Sequence, residues 1–141
     1  MKISTKGRYA VRLMLDIALN SGGENVSLKD ISKRQDISLK YLEQIVNTLS
    51  KAGLLRSQRG AQGGYRLTKK PEEYTIGDIL RVTEGEMAPV SCLEGEENYC
   101  SKAESCPTLK FWTGLYKTIT DYLDSTTIAD LMGNNDIGYF I

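Results

Sequence analysis

Ser38-Leu39-Lys40-Tyr41-Leu42-Glu43-Gln44-Ile45-Val46-Asn47-Thr48-Leu49-Ser50-Lys51 decides the fold of this chain. Leu39, Leu42, Ile45, Val46 and Leu49 recur at helical spacing, so one face of the segment is apolar and buried. Ser38 is a good N-cap, because its hydroxyl oxygen can satisfy a free backbone N–H of the first turn. Gly53 ends the helix as a natural C-terminal cap. The opposite face shows Lys40, Tyr41, Glu43, Gln44, Asn47 and Lys51. Those side chains can reach phosphates and base edges: glutamine pairs with adenine, glutamate accepts from cytosine and lysine neutralises phosphate.

Upstream, Ser27-Leu28-Lys29-Asp30 is a capping signature that opens a short helix to about Gln35. Gln35-Asp36-Ile37 joins the two helices at the dimensions of a helix-turn-helix over about 28–51. Before it, Tyr9, Val11, Leu13, Met14, Ile17 and Ala18 predict a first helix over 6–20, ended by Ser21-Gly22-Gly23. Downstream, Leu54–Gln58 and Tyr65–Thr68 read as two short strands around Arg59-Gly60-Ala61-Gln62-Gly63-Gly64, a wing over about 54–69. Its glycines allow close backbone approach, and Arg59 suits a minor groove. A phosphate-cradling loop is the less favoured reading, since no Gly-Lys-Ser/Thr follows and the turn joins strands rather than opening a helix.

Charge divides the chain. Residues 1–70 carry 14 Lys+Arg against 5 Asp+Glu, and residues 71–141 carry 4 against 13, so net charges of +9 and −9 hide behind an overall zero. A basic half with ordinary hydrophobic periodicity implies nucleic acid, which the acidic half would repel. No apolar run approaches the roughly 18 residues of a membrane span, and the first residues lack an export pattern. With no histidine and no nucleophile–base pair, enzymatic hydrolysis has nothing to rest on. The expectation is a cytoplasmic, non-enzymatic, double-stranded-DNA-binding protein with no membrane partner.

Past Pro71, Thr75-Ile76-Gly77-Asp78 caps a helix to about Thr83. Pro107 then suits the first turn of a longer helix, with Leu109, Trp112, Leu115, Tyr116, Ile119, Tyr122 and Leu123 along one face. A stripe this wide, with no obvious partner in so short a chain, predicts packing against a symmetry mate. Thr127-Ile128-Ala129-Asp130 follows as a capped turn, and Gly138-Tyr139-Phe140-Ile141 ends the sequence.

The three cysteines, Cys92, Cys100 and Cys106, all lie in a Gly- and Glu-rich segment over 86–106. Scattered core thiols are not expected in so polar a stretch. Thiolates are soft ligands for iron–sulfur clusters, zinc or copper(I). The odd number and the absence of an export pattern argue against a disulfide framework. The spacing Cys-x7-Cys-x5-Cys lacks the paired knuckles of structural zinc sites. Cys106 precedes Pro107 at a helix start, where the dipole favours thiolate. Glu94, Glu96, Glu97 and Glu104 oppose it, a repulsion that a bound cation or cluster would offset. An iron–sulfur cluster is the leading reading, zinc and unliganded thiols the alternatives.

Lys2-Ile3-Ser4-Thr5-Lys6-Gly7-Arg8-Tyr9-Ala10, Ile37–Gln44 and Arg59–Tyr65, together with the cysteine triad, resemble the Rrf2 family of bacterial winged-helix regulators, most of all its iron–sulfur-sensing members. The resemblance covers nearly the whole chain. It implies a mainly α fold with a small β wing (α+β): a winged helix-turn-helix DNA-binding domain over 1–84, a cluster loop over 85–106, and a dimerisation helix with its tail over 107–141. It implies a homodimeric transcription regulator, a repressor, whose cluster state adjusts DNA affinity or site choice at iron–sulfur assembly operators. Carried over, Cys92, Cys100 and Cys106 hold a [2Fe–2S] cluster, with [4Fe–4S] or zinc as alternatives. The DNA-contacting set becomes Lys6, Arg8, Tyr9, Ser38, Lys40, Tyr41, Glu43, Gln44, Arg59, Gly60 and Gly63. The fourth ligand stays open. Where proteobacterial members place a histidine three residues after the last cysteine, this chain has Leu109. A loop carboxylate, a partner-subunit residue and an exogenous thiol remain. Within the family, a cysteine-metabolism or nitric-oxide-responsive repressor is the alternative. Outside it stands an iron–sulfur redox carrier, which would not need a basic winged domain.

Overall fold

The computed structural model describes residues 1–133. The aromatic end Gly138–Ile141 lies outside them. Helices α1 (Thr5–Asn20), α2 (Leu28–Gln35) and α3 (Leu39–Lys51) come first, followed by strands β1 (Leu55–Gln58) and β2 (Gly64–Leu67). Helices α4 (Ile76–Glu84), α5 (Leu109–Ser125) and α6 (Ile128–Gly133) complete the described residues. The segment between α4 and α5 holds only two short 3-10 turns, Ser91–Leu93 and Ala103–Ser105.

Local chemistry sets most boundaries. Ser4, Ser27 and Ser38 each accept a hydrogen bond from the third backbone N–H of α1, α2 and α3. Thr75 and Asp78 form a reciprocal capping box on α4, as predicted. Between α2 and α3 the backbone passes through Asp36 at φ 54°, a left-handed conformation that aspartate tolerates, and this turn sets the crossing of the two helices. Gly53, at φ 80°, reverses the chain after α3. β1 and β2 pair antiparallel, Leu55 opposite Leu67 and Gln58 opposite Gly64. Val26, between α1 and α2, adds a single bridge to Tyr65.

One apolar core lies among α1, α2, α3, α4 and the base of the wing. Leu13, Met14, Ile17, Ile31, Leu42, Ile45, Leu49 and Ile79 are fully buried in it. Tyr74 is buried there too, and its hydroxyl donates to the Leu54 carbonyl at 2.9 Å while accepting from the N–H groups of Thr68 (2.8 Å) and Lys69 (3.0 Å). Asp16 is the buried charge. Arg34 grips it with Nη2 at 2.7 Å and Nε at 3.0 Å, and Gln35 Nε2 adds a third bond at 2.9 Å, tying α1 to the end of α2. That pairing raises the Arg34 pKa above its usual value.

Two elements differ from expectation. α5 begins at Leu109, not in a turn containing Pro107: Thr108 occupies the N-cap without a side-chain cap, and Pro107 stays in the preceding loop. The Thr127–Asp130 signature opens a helix rather than an isolated turn. Asp130 and Thr127 cap each other reciprocally at 2.9 and 3.1 Å. That helix, α6, folds back onto α1 and brings Ile128 into the core with no exposed surface. Backbone bonds from Ile76 N–H to the Thr126 carbonyl (2.9 Å) and from Ile128 N–H to the Tyr74 carbonyl (3.0 Å) lock the return.

Candidate nucleic-acid interface and cysteine segment

Lys40, Glu43, Gln44 and Asn47 are exposed along one face of α3, opposite the buried Leu42, Ile45, Val46 and Leu49. A helix held on one side by a core and free on the other is what a major groove admits. Ser38 spends its oxygen on the Tyr41 N–H at 3.2 Å, so its first task is to cap. Tyr41 is half-buried and meets Tyr9 edge-to-face, ring centroids 5.7 Å apart at 87°. Arg12 lies over the Tyr9 ring at 5.3 Å and donates to the Gln35 side chain (3.1 Å) and carbonyl (2.7 Å). The two tyrosines therefore brace α1 against α3. Arg12 and Gln35 are working residues of this brace that the sequence reading passed over, because their partners are distant in the chain.

Lys6 is half-buried and Arg8 exposed at the start of α1, with Arg8 Nη2 donating to Thr5 Oγ1 at 3.0 Å. Arg59 stands exposed at the wing tip, in a turn closed by the Gly63 N–H to the Gly60 carbonyl at 2.9 Å. Gly60 adopts φ 111°, and a side chain at Gly63 would collide with the Gln58 carbonyl. Both glycines are thus required by the turn itself, whatever they touch outside it.

The cysteines lie in the acidic half of the sequence. Cys92 is half-buried and shares a hollow of about 350 Å3 with exposed Cys100, beside Ser91, Glu94, Glu97 and Tyr99. Cys106 is not on that hollow; it sits before α5, its Sγ 3.6 Å from Thr108 Oγ1. That hydrogen bond, helped by the backbone N–H groups of Thr108 and Leu109, lowers the Cys106 pKa below the ordinary thiol value. Thr108 Oγ1 also accepts from Trp112 Nε1 at 3.2 Å, so one hydroxyl touches both the thiol and the apolar helix. Among the described residues no three cysteine, aspartate or glutamate side chains converge as a metal-holding group. The donor chemistry fits a cluster, with three soft thiols within fifteen residues; two of them already share one wall.

Glu86, which the sequence reading did not single out, anchors this segment. Its Oε1 accepts from the N–H groups of Met87 (2.9 Å) and Ala88 (3.0 Å), and its Oε2 from Gly95 (3.2 Å). Tyr116 of α5 adds its hydroxyl at 3.4 Å. The Ala88 and Gly95 bonds lead in lowering the Glu86 pKa, while burial first and then the Glu86 charge raise that of Tyr116.

Residues 3–134 match the Rrf2 family, described as an iron-dependent transcriptional regulator. The chain belongs to the Rrf2 family. It is 42% identical over 137 residues to the HTH-type transcriptional regulator IscR of Aliivibrio salmonicida, covering 97% of this chain and 80% of that one. The solved structure of CymR, the global cysteine regulator of B. subtilis, superposes with a TM-score of 0.78 at 43% identity, over 94% of this chain and 97% of CymR. T. potens IscR superposes at 0.77 and 40%, over 100% and 93%. The fold is accordingly the winged helix of these regulators, and the protein is a DNA-binding transcription regulator. No helix among the described residues is long and apolar enough to cross a membrane.

Proposed function

We propose that this is a homodimeric cytoplasmic regulator that adjusts operator binding to iron–sulfur status. Cys92, Cys100 and Cys106 would hold the cluster, [2Fe–2S] first among the types, and the genes controlled would be those of cluster assembly. The observation that carries this reading is position. All three thiols lie in the one segment that joins the winged domain to α5, and none serves the core. α5 has no buried residue, with Phe111 63% and Tyr122 71% exposed, which suits a helix completed by a second copy. When bound, a cluster supplies iron–thiolate bonds that form and break with iron supply and oxidation state. The chain's own residues do the rest. Glu86 ties the segment to α5 through Tyr116, and Thr108 joins Cys106 to Trp112. α3 presents Lys40, Glu43 and Gln44, and the wing presents Arg59.

A sulfur-metabolism repressor is the second reading, favoured by the equally close likeness to CymR; in it the thiols hold no cluster. The test is the iron and sulfide content and visible absorption of protein purified without oxygen. Iron and sulfide with a visible chromophore, lost in each of Cys92→Ala, Cys100→Ala and Cys106→Ala while a folded dimer remains, is the expected result. Colourless, iron-free protein that still binds DNA overturns the first reading in favour of the second.

A further inference from the structure

Nothing within the wing itself aims its basic tip. The two strands have four residues each, and an isolated hairpin that short is marginal. Inside the tip, the Gly60–Gly63 bond closes a turn but ties it to nothing else.

We propose that Asn25, in the connection between α1 and α2, is the positioning residue of the wing, setting where Arg59 stands against DNA. Its Nδ2 donates to Gln58 Oε1 at 2.8 Å and to the Gln62 carbonyl at 3.3 Å. Its Oδ1 accepts from Arg66 Nε at 2.9 Å. Arginine only donates, so the Arg66 bond fixes which end of the amide is oxygen and leaves the nitrogen to face Gln58 and the tip. One side chain thus engages the end of β1, the middle of β2 and the tip between them. Its own backbone is held next door, where Val26 is buried in the core and exchanges two 2.9 Å hydrogen bonds with Tyr65 of β2. The amide is therefore rooted in the domain and grips the wing. Arg59 follows Gln58 directly, so fixing Gln58 and Gln62 fixes the root of the arginine.

Asn25 is only half-buried, yet direct contact with DNA phosphate does not suit it. The open hollow around it is lined by two carboxylates, Glu24 and Asp30, against one cation, Arg66, whose Nε is already spent on Asn25, so its net charge repels phosphate. Asn25 acts through Arg59.

This inference rests on the wing contacting DNA, and the experiment separates the two. The probe is a duplex enriched from random-sequence DNA by the wild-type protein. Affinity is measured at several salt concentrations for wild type, Asn25→Ala, Arg59→Ala and the double variant, with melting temperatures alongside. Asn25→Ala should bind about 5-fold to 10-fold more weakly, because the freed tip side chains must be ordered again on the DNA. It should melt as wild type does, and its salt slope should fall by about one per subunit. In the Arg59→Ala background the same change should cost less than about 2-fold, since the residue it positions is gone. Equal losses in both backgrounds, with or without a lowered melting temperature, mark Asn25 as merely structural and overturn the inference. So does unweakened binding by Asn25→Ala while Arg59→Ala is weak. If Arg59→Ala binds as wild type does, the wing reading fails and takes this inference with it.

Discussion

Gln44 and Lys40 share the exposed face of α3 but offer different chemistry to a groove. An amide can pair bidentately with one base edge, whereas an ammonium neutralises any phosphate. Gln44→Ala is therefore expected to flatten the ranking of single-base operator variants, and Lys40→Ala to weaken all of them alike. An unchanged ranking in Gln44→Ala would remove α3 from the reading role. Tyr74 makes a stability argument at the same scale. Its hydroxyl serves three backbone groups at the base of the wing. Tyr74→Phe leaves them short of a partner and should cost about 1–3 kcal/mol in urea unfolding; an unshifted midpoint would show that water replaces the hydroxyl freely. Neither Tyr74 nor Asn25 stands out in the sequence. The Tyr74 hydroxyl meets Leu54 20 residues away and Asn25 meets Gln58 33 residues away, so no local spacing marks them. The Ser38 cap and the exposed face that carries Gln44 were legible because a cap and a stripe are local features.

Among the elements, the helices with near-ideal capping and periodicity were readable almost to the residue: α1, α2, α3, α4 and the hairpin. α6 was read only as a turn, since what makes it a helix packed in the core is Ile128 meeting α1, a tertiary event. α5 shows the converse, an apolar stripe evident in the sequence that the chain alone does not bury. Trp112→Asp places a charge in that stripe and should shift sedimentation from dimer to monomer, with operator affinity falling; an unperturbed dimer would move the interface elsewhere. The cysteine segment carries a pH signature. Glu86 has its folded pKa lowered, led by the Ala88 and Gly95 amide bonds. The tether is thus complete above the unperturbed glutamate value of about 4.3 and is lost as pH falls through the lower folded one. In NMR titrations the Met87, Ala88 and Gly95 amides should move together with a midpoint below that of an ordinary glutamate, and be silent in Glu86→Gln. Independent midpoints would dissolve the tether.

At the scale of the molecule, the +9 of residues 1–70 and the −9 of residues 71–141 make a strongly polarised protein. DNA affinity should drop steeply with added salt, several phosphates being neutralised per subunit; a slope near zero would leave the basic half without its partner. The polarity also orients approach, presenting the α3 and wing side to the duplex and turning the glutamate-rich segment away. The return of α6 has a mechanical meaning. Because Thr126 and Ile128 are bonded into the core through Ile76 and Tyr74, Asp124 to Arg81 of α4 and Tyr116 to Glu86, α5 is held from its C-terminal end to its middle, and only the turns before Tyr116 form an arm. Its other end carries Thr108, beside Cys106. The stretch of α5 from Leu109 to Tyr116 rises about 12 Å, so a swing of about 5° at Tyr116 carries the tip through roughly 1 Å. A displacement at Cys106 thereby meets the winged domain first at the Tyr116–Glu86 joint, and only then at Asp124–Arg81 and Thr126.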